Sequence, residues 1–156
     1  MNFPLLNNVN IVTMHRGSTA AASANVDSTV HLDMQGYEGV MFAVGIEETT
    51  AGGTTGSLEL IGRYAESSTD SFTDFSTSKA AAGVNGSITT SDWGKHLVLD
   101  IYKPTYRYIG VSLDKDGAAS LDNGPIMAIQ YGGKEGPITQ SSSYVKDSTV
   151  SVSPTT

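Results

Sequence analysis

Apolar side chains recur at every second position through most of this chain, and no stretch longer than about ten residues carries them at helical spacing. That alternation confines the chain to β-structure, because a pleated strand sends successive side chains to opposite faces. From Gly39 to Ile46, Val40, Phe42, Val44 and Ile46 fall on one face. Met41, Ala43 and Gly45 fall on the other, so both faces of this strand are expected to be covered. Leu58, Leu60, Gly62 and Tyr64 alternate with Glu59, Ile61 and Arg63, and Leu97, Leu99 and Ile101 alternate with His96, Val98, Asp100 and Tyr102. Between Tyr106 and Leu113, Tyr106 and Tyr108 oppose Arg107, Ile109, Val111 and Leu113, and Ile126–Tyr131 supplies a further strand. Weaker runs lie at Val9–Met14, Thr29–Met34, Ser71–Phe75 and Ser87–Thr90.

Turn formers separate most of these runs. Gln35-Gly36-Tyr37 and Lys103-Pro104-Thr105 are short turns, the second with proline where no amide donor is needed. Glu48–Gly56 and Asp114–Gly124 are Gly-, Thr- and Asp-rich loops. Eight or nine short strands with turns between them predict an all-β fold: an antiparallel β-sandwich, jelly-roll-like, of about eight strands with extended terminal arms. Ala20–Ala24 and Lys79–Gly83 are the only Ala-rich segments and could each hold a helical turn, although their neighbours favour loops.

At 156 residues the chain has the length of one ordinary domain. The sandwich is expected over residues 9–132, between an irregular N-terminal arm (1–8) and a polar C-terminal arm (133–156). Two readings of the C-terminal arm stand side by side. Its Ser/Thr-rich composition suits a solvated tail, while Tyr144, Val145, Val150 and Val152 suit a strand added to a neighbouring subunit.

Composition narrows the function. There is no cysteine, which removes disulfide frameworks, zinc–thiolate sites, iron–sulfur clusters and thiol catalysis. Sixteen acidic against nine basic residues leave a net charge of −7, so nucleic acid is not an expected partner. No apolar run is long enough to span a membrane, and residues 1–14 lack the basic and apolar regions of a secretory signal, so synthesis in a reducing cytosol is expected. Thirty-six Ser and Thr and seventeen Gly replace the charges a helical surface would carry.

The sequence holds no catalytic constellation. His15, His31 and His96 each stand alone, without the i,i+4 or alternate-residue partner that metal ligation uses. No nucleophile-elbow pattern surrounds any serine, and Gly52–Gly56 lacks the lysine of a phosphate-binding loop. Asp114, Asp116 and Gly117, with Ser112 before and Asn123 after, imitate a calcium loop. The terminal carboxylate is missing, however, and Ser112 falls within a strand. Glu47, Glu48, Glu59 and Asp100 could supply carboxylate pairs only if folding placed two across a cleft. Trp93 with Tyr102, Tyr106, Tyr108 and Tyr131 could form a sugar-stacking platform or simply pack. Asn85-Gly86-Ser87 matches a glycosylation sequon, which carries no weight without a secretory route. No catalytic, cofactor-binding or metal-ligating residue is therefore expected, and the chain reads as a structural or interaction module rather than an enzyme.

Three segments point to a family. Leu32-Asp33-Met34-Gln35-Gly36-Tyr37-Glu38-Gly39-Val40-Met41-Phe42 resembles the "aspartate, two residues, Gly-Tyr-Glu-x-Val-x-Phe" signature of small virion proteins of tailed bacteriophages, commonly encoded close to the major capsid protein. Lys103-Pro104-Thr105-Tyr106-Arg107-Tyr108-Ile109 resembles the family's Lys-Pro-x-x-Arg-Tyr-Ile/Val lead into a late strand. Ile126–Gly132 followed by Pro137 resembles its closing strand and exit. The resemblance implies a head decoration or cement protein on the outer capsid surface, assembled in the host cytoplasm. It binds the major capsid protein lattice and stabilises the head, commonly as a homo-oligomer with a trimer favoured. The alternatives are another virion component (head–tail joining, tail accessory or head fibre base) or a carbohydrate-binding β-sandwich. The last would contact sugar through Thr49–Gly56, Trp93 and Asp114–Gly124.

Overall fold

The structure is a computed structural model and describes residues 8–17, 25–47, 56–75, 83–88, 92–116, 122–133, 141 and 143–144. Ten strands are present among them: β1 (Val9–His15), β2 (Val26–Asp27), β3 (Leu32–Asp33), β4 (Gly39–Ile46), β5 (Gly56–Ala65), β6 (Thr73–Asp74), β7 (Gly83–Ile88), β8 (His96–Tyr102), β9 (Tyr108–Asp116) and β10 (Asn123–Tyr131). The described residues contain no α-helix. Residues 1–7, the Ala20–Ala24 segment, 79–82, the loops 48–55 and 117–121, and most of the C-terminal arm lie outside the described residues.

The strands pair in two antiparallel sheets. One runs β1-β10-β4-β8. The other has β9 and β5 at its centre, with β2 and β3 sharing the outer edge of β9, and β6 and β7 sharing the outer edge of β5. Counting each broken edge as one position leaves eight positions, paired 1 with 8, 2 with 7, 3 with 6 and 4 with 5. The chain is thus one long antiparallel ribbon rolled over itself, and the fold is an all-β antiparallel sandwich of jelly-roll type.

The core is the set of side chains the alternation marks as inward. Val40, Phe42, Leu58, Leu60, Ile109, Val111, Leu113, Ile126 and Ala128 are completely buried between the sheets. Phe42 sits at the centre of β4, whose Cα partners are Ala128 on one side and Leu99 on the other. In β9 the inward set is Ile109, Val111 and Leu113, whereas Arg107 stays in the preceding turn, exposed, and Tyr106 packs on the rim of the core. Pro125 falls within a central strand where the register of β10 against β4 shifts, a place that tolerates a missing amide.

Three weak sequence runs emerge as short or displaced edge strands, for local reasons. In the Thr29–Met34 run only Leu32–Asp33 pairs, and Val26–Asp27 pairs ahead of it. The break is made by Ser28. Its amide still donates to Val111 O (3.0 Å), but its buried Oγ accepts the Val30 amide (3.1 Å) and donates to Met14 O (3.3 Å). A side chain that captures a nearby backbone amide removes it from the ladder. The Ser71–Phe75 run reduces to Thr73–Asp74, prolonged by the Phe75 amide on Gly62 O (3.0 Å). The Ser87–Thr90 run begins earlier, at Gly83, because the pairing extends along β5 as far as Ile61.

The outer faces of the two sheets differ in chemistry. On the β9–β5 sheet, Arg63 reaches Asp27 (3.0 Å) and Asp74 (2.8 Å), and Glu59, Asp114 and the Arg107–Asp33 pair complete a charged, water-facing surface. On the β1-β10-β4-β8 sheet, two rows of directly opposed residues cross all four strands: Ile11, Ile129, Met41 and Asp100, and Thr13, Met127, Ala43 and Val98.

Candidate functional site

The three segments that carry the family resemblance are remote in sequence, and folding brings Leu32–Glu38, Lys103–Arg107 and the Gln130–Tyr131 end of the third together at one end of the sandwich; Pro137 lies outside the described residues. Leu32–Asp33 opens the first. Asp33 Oδ1 accepts the Gln35 amide (2.9 Å), which starts a tight turn that the Tyr37 amide closes on Met34 O (3.0 Å). Gly36 sits in that turn at φ 91°, a conformation glycine adopts without cost. The second segment lies alongside: the Met34 amide donates to Arg107 O (2.8 Å) and the Lys103 amide to Glu38 O (2.7 Å). Lys103 takes a left-handed conformation, φ 49°, which for a residue with a Cβ costs about 1–2 kcal/mol.

A forked ion pair fastens these turns. Arg107 Nε donates to Asp33 Oδ1 (2.9 Å) and Arg107 Nη2 to Asp33 Oδ2 (2.7 Å). Both side chains are about half exposed, so the pair supplies geometry more than energy. The guanidinium holds the Asp33 carboxyl below the ordinary carboxylate range, and its own pKa rises in return. The third segment joins from beneath. Gln130 of β10, fully buried, donates Nε2 to Asp33 O (2.7 Å) and to Met34 Sδ (3.5 Å), and its Oε1 accepts Asn10 Nδ2 of β1 (2.7 Å). The Glu38 amide donates to Tyr131 O (3.0 Å).

Tyr131 binds the same end on the other side of the sheet. Its ring lies over Gly39, where a Cβ would stand 2.3 Å from ring atoms, and its hydroxyl donates to Asp100 Oδ1 (2.7 Å). Desolvation, and then the hydrogen bond to Asp100, push the phenol up to about 12. The aromatic rim is closed by Tyr64 and Tyr106, stacked at 3.8 Å with 14° between planes, and by Phe75 at 5.2 Å from Tyr64. Tyr37 packs against the core beside them, and burial raises its phenol pKa.

Between the two turns lies an open cleft of about 570 Å3, lined by Met34, Glu38, Lys103, Thr105 and Arg107 among others. Its polar side chains include the Glu38 carboxylate, the Lys103 ammonium set over the Tyr102 ring (5.1 Å), the Gln35 amide, the Thr105, Tyr37 and Tyr106 hydroxyls and the edge of a guanidinium already held by Asp33.

The other sequence candidates are scattered. His15 and His96 lie on strands of one sheet, while His31 stacks on Phe72 (4.3 Å) with Nε2 2.8 Å from Asp70 O. Among the described residues no three His, Asp or Glu gather to hold a metal. Ser112 and Asp114 are strand residues, joined by a hydrogen bond of 2.8 Å, and Asn123 donates to the neighbouring Gly124 O (2.9 Å). The buried Lys115 has its pKa lowered by desolvation, partly offset by the Asp122 carboxylate. Glu59 and Asp100 occupy different sheets, Glu47 lies beside Gly124, and Glu48 is outside the described residues. Trp93 packs against the core, Tyr106 on Tyr64 and Tyr131 over Gly39, so the five aromatic residues form no common platform. The Asp33–Arg107 fork and the Gln130 amide escaped the sequence reading. Its one available signal was that the motifs themselves contain an aspartate, an arginine and an inward-facing glutamine.

No protein-family model matches this chain. No curated protein matches it. Among solved structures it is similar to the CBM22-1–GH10 modules of the Clostridium thermocellum N-terminal endo-1,4-beta-D-xylanase 10B, solved in complex with xylohexaose. The identity is 15%, the TM-score 0.40, and the match covers 81% of this chain and 25% of that one. The chain spans about a quarter of the length of that structure, and a likeness at this level carries no argument about ligand or activity.

Proposed function

We propose that this chain is a structural protein of a tailed-bacteriophage virion: a capsid decoration or cement protein that binds the major capsid protein lattice and stabilises the head. The observation that supports this reading is the convergence of the three resembling segments on one end of the sandwich. Asp33, Glu38, Lys103, Arg107 and Gln130 are spent on holding two turns and a strand in fixed relation. Residues engaged in this way shape a surface. A cement protein needs no more chemistry than that, because its work is burial of area across subunit joints.

The test is quantitative protein analysis of purified particles. The protein should co-sediment with heads at a copy number near that of the major capsid protein, and stripped heads should regain resistance to heat or osmotic shock when it is added back. Recovery of a few copies per particle would move it to a joining or tail position. Absence from particles would overturn the proposal.

A further inference from the structure

Among the described strands, β1 is the outermost of its sheet, and it faces the β3 margin of the other sheet across a seam. An open cleft of about 350 Å3 lies along that seam, lined by Asn10 and Val12 of β1, by Val30 and Leu32 on the β3 side, and by Gln130. One further lining residue comes from the far end of the sequence, Tyr144 of the C-terminal arm. Ser141 and Ser143 beside it stand in solvent, whereas most of Tyr144 is covered, with 40% exposed. A tight turn presents the tyrosine: its amide donates to Ser141 O (3.0 Å), and the Ser143 amide donates to Ser141 Oγ (3.3 Å). The cleft opens onto the polar network in which Gln130 joins Asn10 to the Asp33 carbonyl.

We infer that this seam is the docking groove of the chain's own C-terminal arm, anchored by Tyr144, and that the docked arm keeps water from the Gln130 network. The lining fits the anchor. A tyrosine has an apolar body and a polar tip, and the groove sets Val12, Val30 and Leu32 beside the amides of Asn10 and Gln130. Covering the groove also strengthens the buried amide bonds, because hydrogen bonds gain where water is excluded. Reach selects the occupant. β10 ends at Tyr131, whose partner on β1 is Val9, next to Asn10. The seam is therefore about one strand spacing (about 4.8 Å) plus half a sheet separation (about 5 Å) from the end of β10. Residues 134–140 join Gly133 to Ser141, and a link of that length spans at most about 25 Å, more than enough. So short a tether holds the arm at an effective concentration in the millimolar range, roughly a thousand-fold above the arm of a second copy at micromolar concentration. The arm thus closes on its own sandwich. The inference holds whether or not the chain decorates a capsid.

The chain has no cysteine, so Ser143→Cys places a single nitroxide label at an exposed position of the full-length protein. The methyl resonances of Val12, Val30 and Leu32 should broaden, and in the unlabelled chain the Tyr144 ring should show Overhauser contacts to them. Tyr144→Ala should weaken the broadening about three-fold and speed exchange of the Gln130 side-chain amide protons about five-fold, while Tyr144→Phe retains most of the effect. A mixture of nitroxide-bearing chain with isotope-labelled, nitroxide-free chain distinguishes the occupant: the isotope-labelled resonances should stay sharp. Broadening in that mixture would assign the groove to a neighbour's arm and overturn the inference. Absent ring contacts, broadening indifferent to Tyr144→Ala, or an unchanged Gln130 exchange rate would each overturn it as well.

Discussion

Gln130 shows how much one side chain can specify. It stands at an inward position of a central strand, where the alternation calls for an apolar residue, and its amide is used at both ends by Asn10, Asp33 and Met34. A buried amide is tolerated because nothing is left unpaired. Gln130→Leu keeps the volume and orphans the Asp33 carbonyl and the Asn10 amide, so a loss of about 1–3 kcal/mol is expected from urea unfolding. An unchanged midpoint would show that water replaces both partners. Tyr131 belongs to the same residue scale. Its folded pKa lies above the free value of 10, so between pH 10 and about 12 the unfolded state binds fewer protons and stability falls as pH rises.

At the scale of elements, the two turns at the motif end depend on each other. Each turn sets one tyrosine against the edge of the core, Tyr37 in the first and Tyr106 in the second, and the two are tied to each other by Asp33, the Met34 amide and Glu38 O. Because the carboxyl of Asp33 is depressed below 3.8, the pair stabilises the fold at pH values above that and is lost as pH falls through the folded value. The difference in urea midpoint between the wild type and Asp33→Asn should therefore be full at neutral pH and shrink progressively as the pH falls below 3.8, well below the range where histidine titrates. Amide exchange at Gln35 and Met34 should quicken in the variant. A difference that persists at low pH would show that the ionised pair with Arg107 is not its source. Elements with strict alternation were legible in the sequence: β4, β5 and β8 fall where their apolar residues predict. The edge pieces were legible in part: the weak runs contain β3 and β6 and overlap β7, while β2 and the true bounds of the others were not, because Ser28 Oγ and the sheet neighbours decide where an edge strand pairs.

Across the whole molecule the rolled ribbon lays the first strand against the last, since Val9 pairs with Tyr131 and Thr13 with Met127. Val12 and Met14 contribute to the same core as Phe42. Deleting residues 1–15 should therefore abolish cooperative unfolding, as followed by near-ultraviolet circular dichroism; a truncated chain with an intact melt would show the β10 edge to be self-sufficient. Local rules read from the residue order alone were enough for the all-β class, the inward faces of the strong strands and the doubly apolar nature of β4. Each of these depends on a period of two, which neighbouring residues express by themselves. The roll-up, the meeting of Asp33 with Arg107, the double use of Gln130 and the segregation of charge to one outer face were decided in three dimensions. They arise from contacts between segments about 70 to 120 residues apart, and pairing across that distance is set by which faces must be buried together rather than by any local preference.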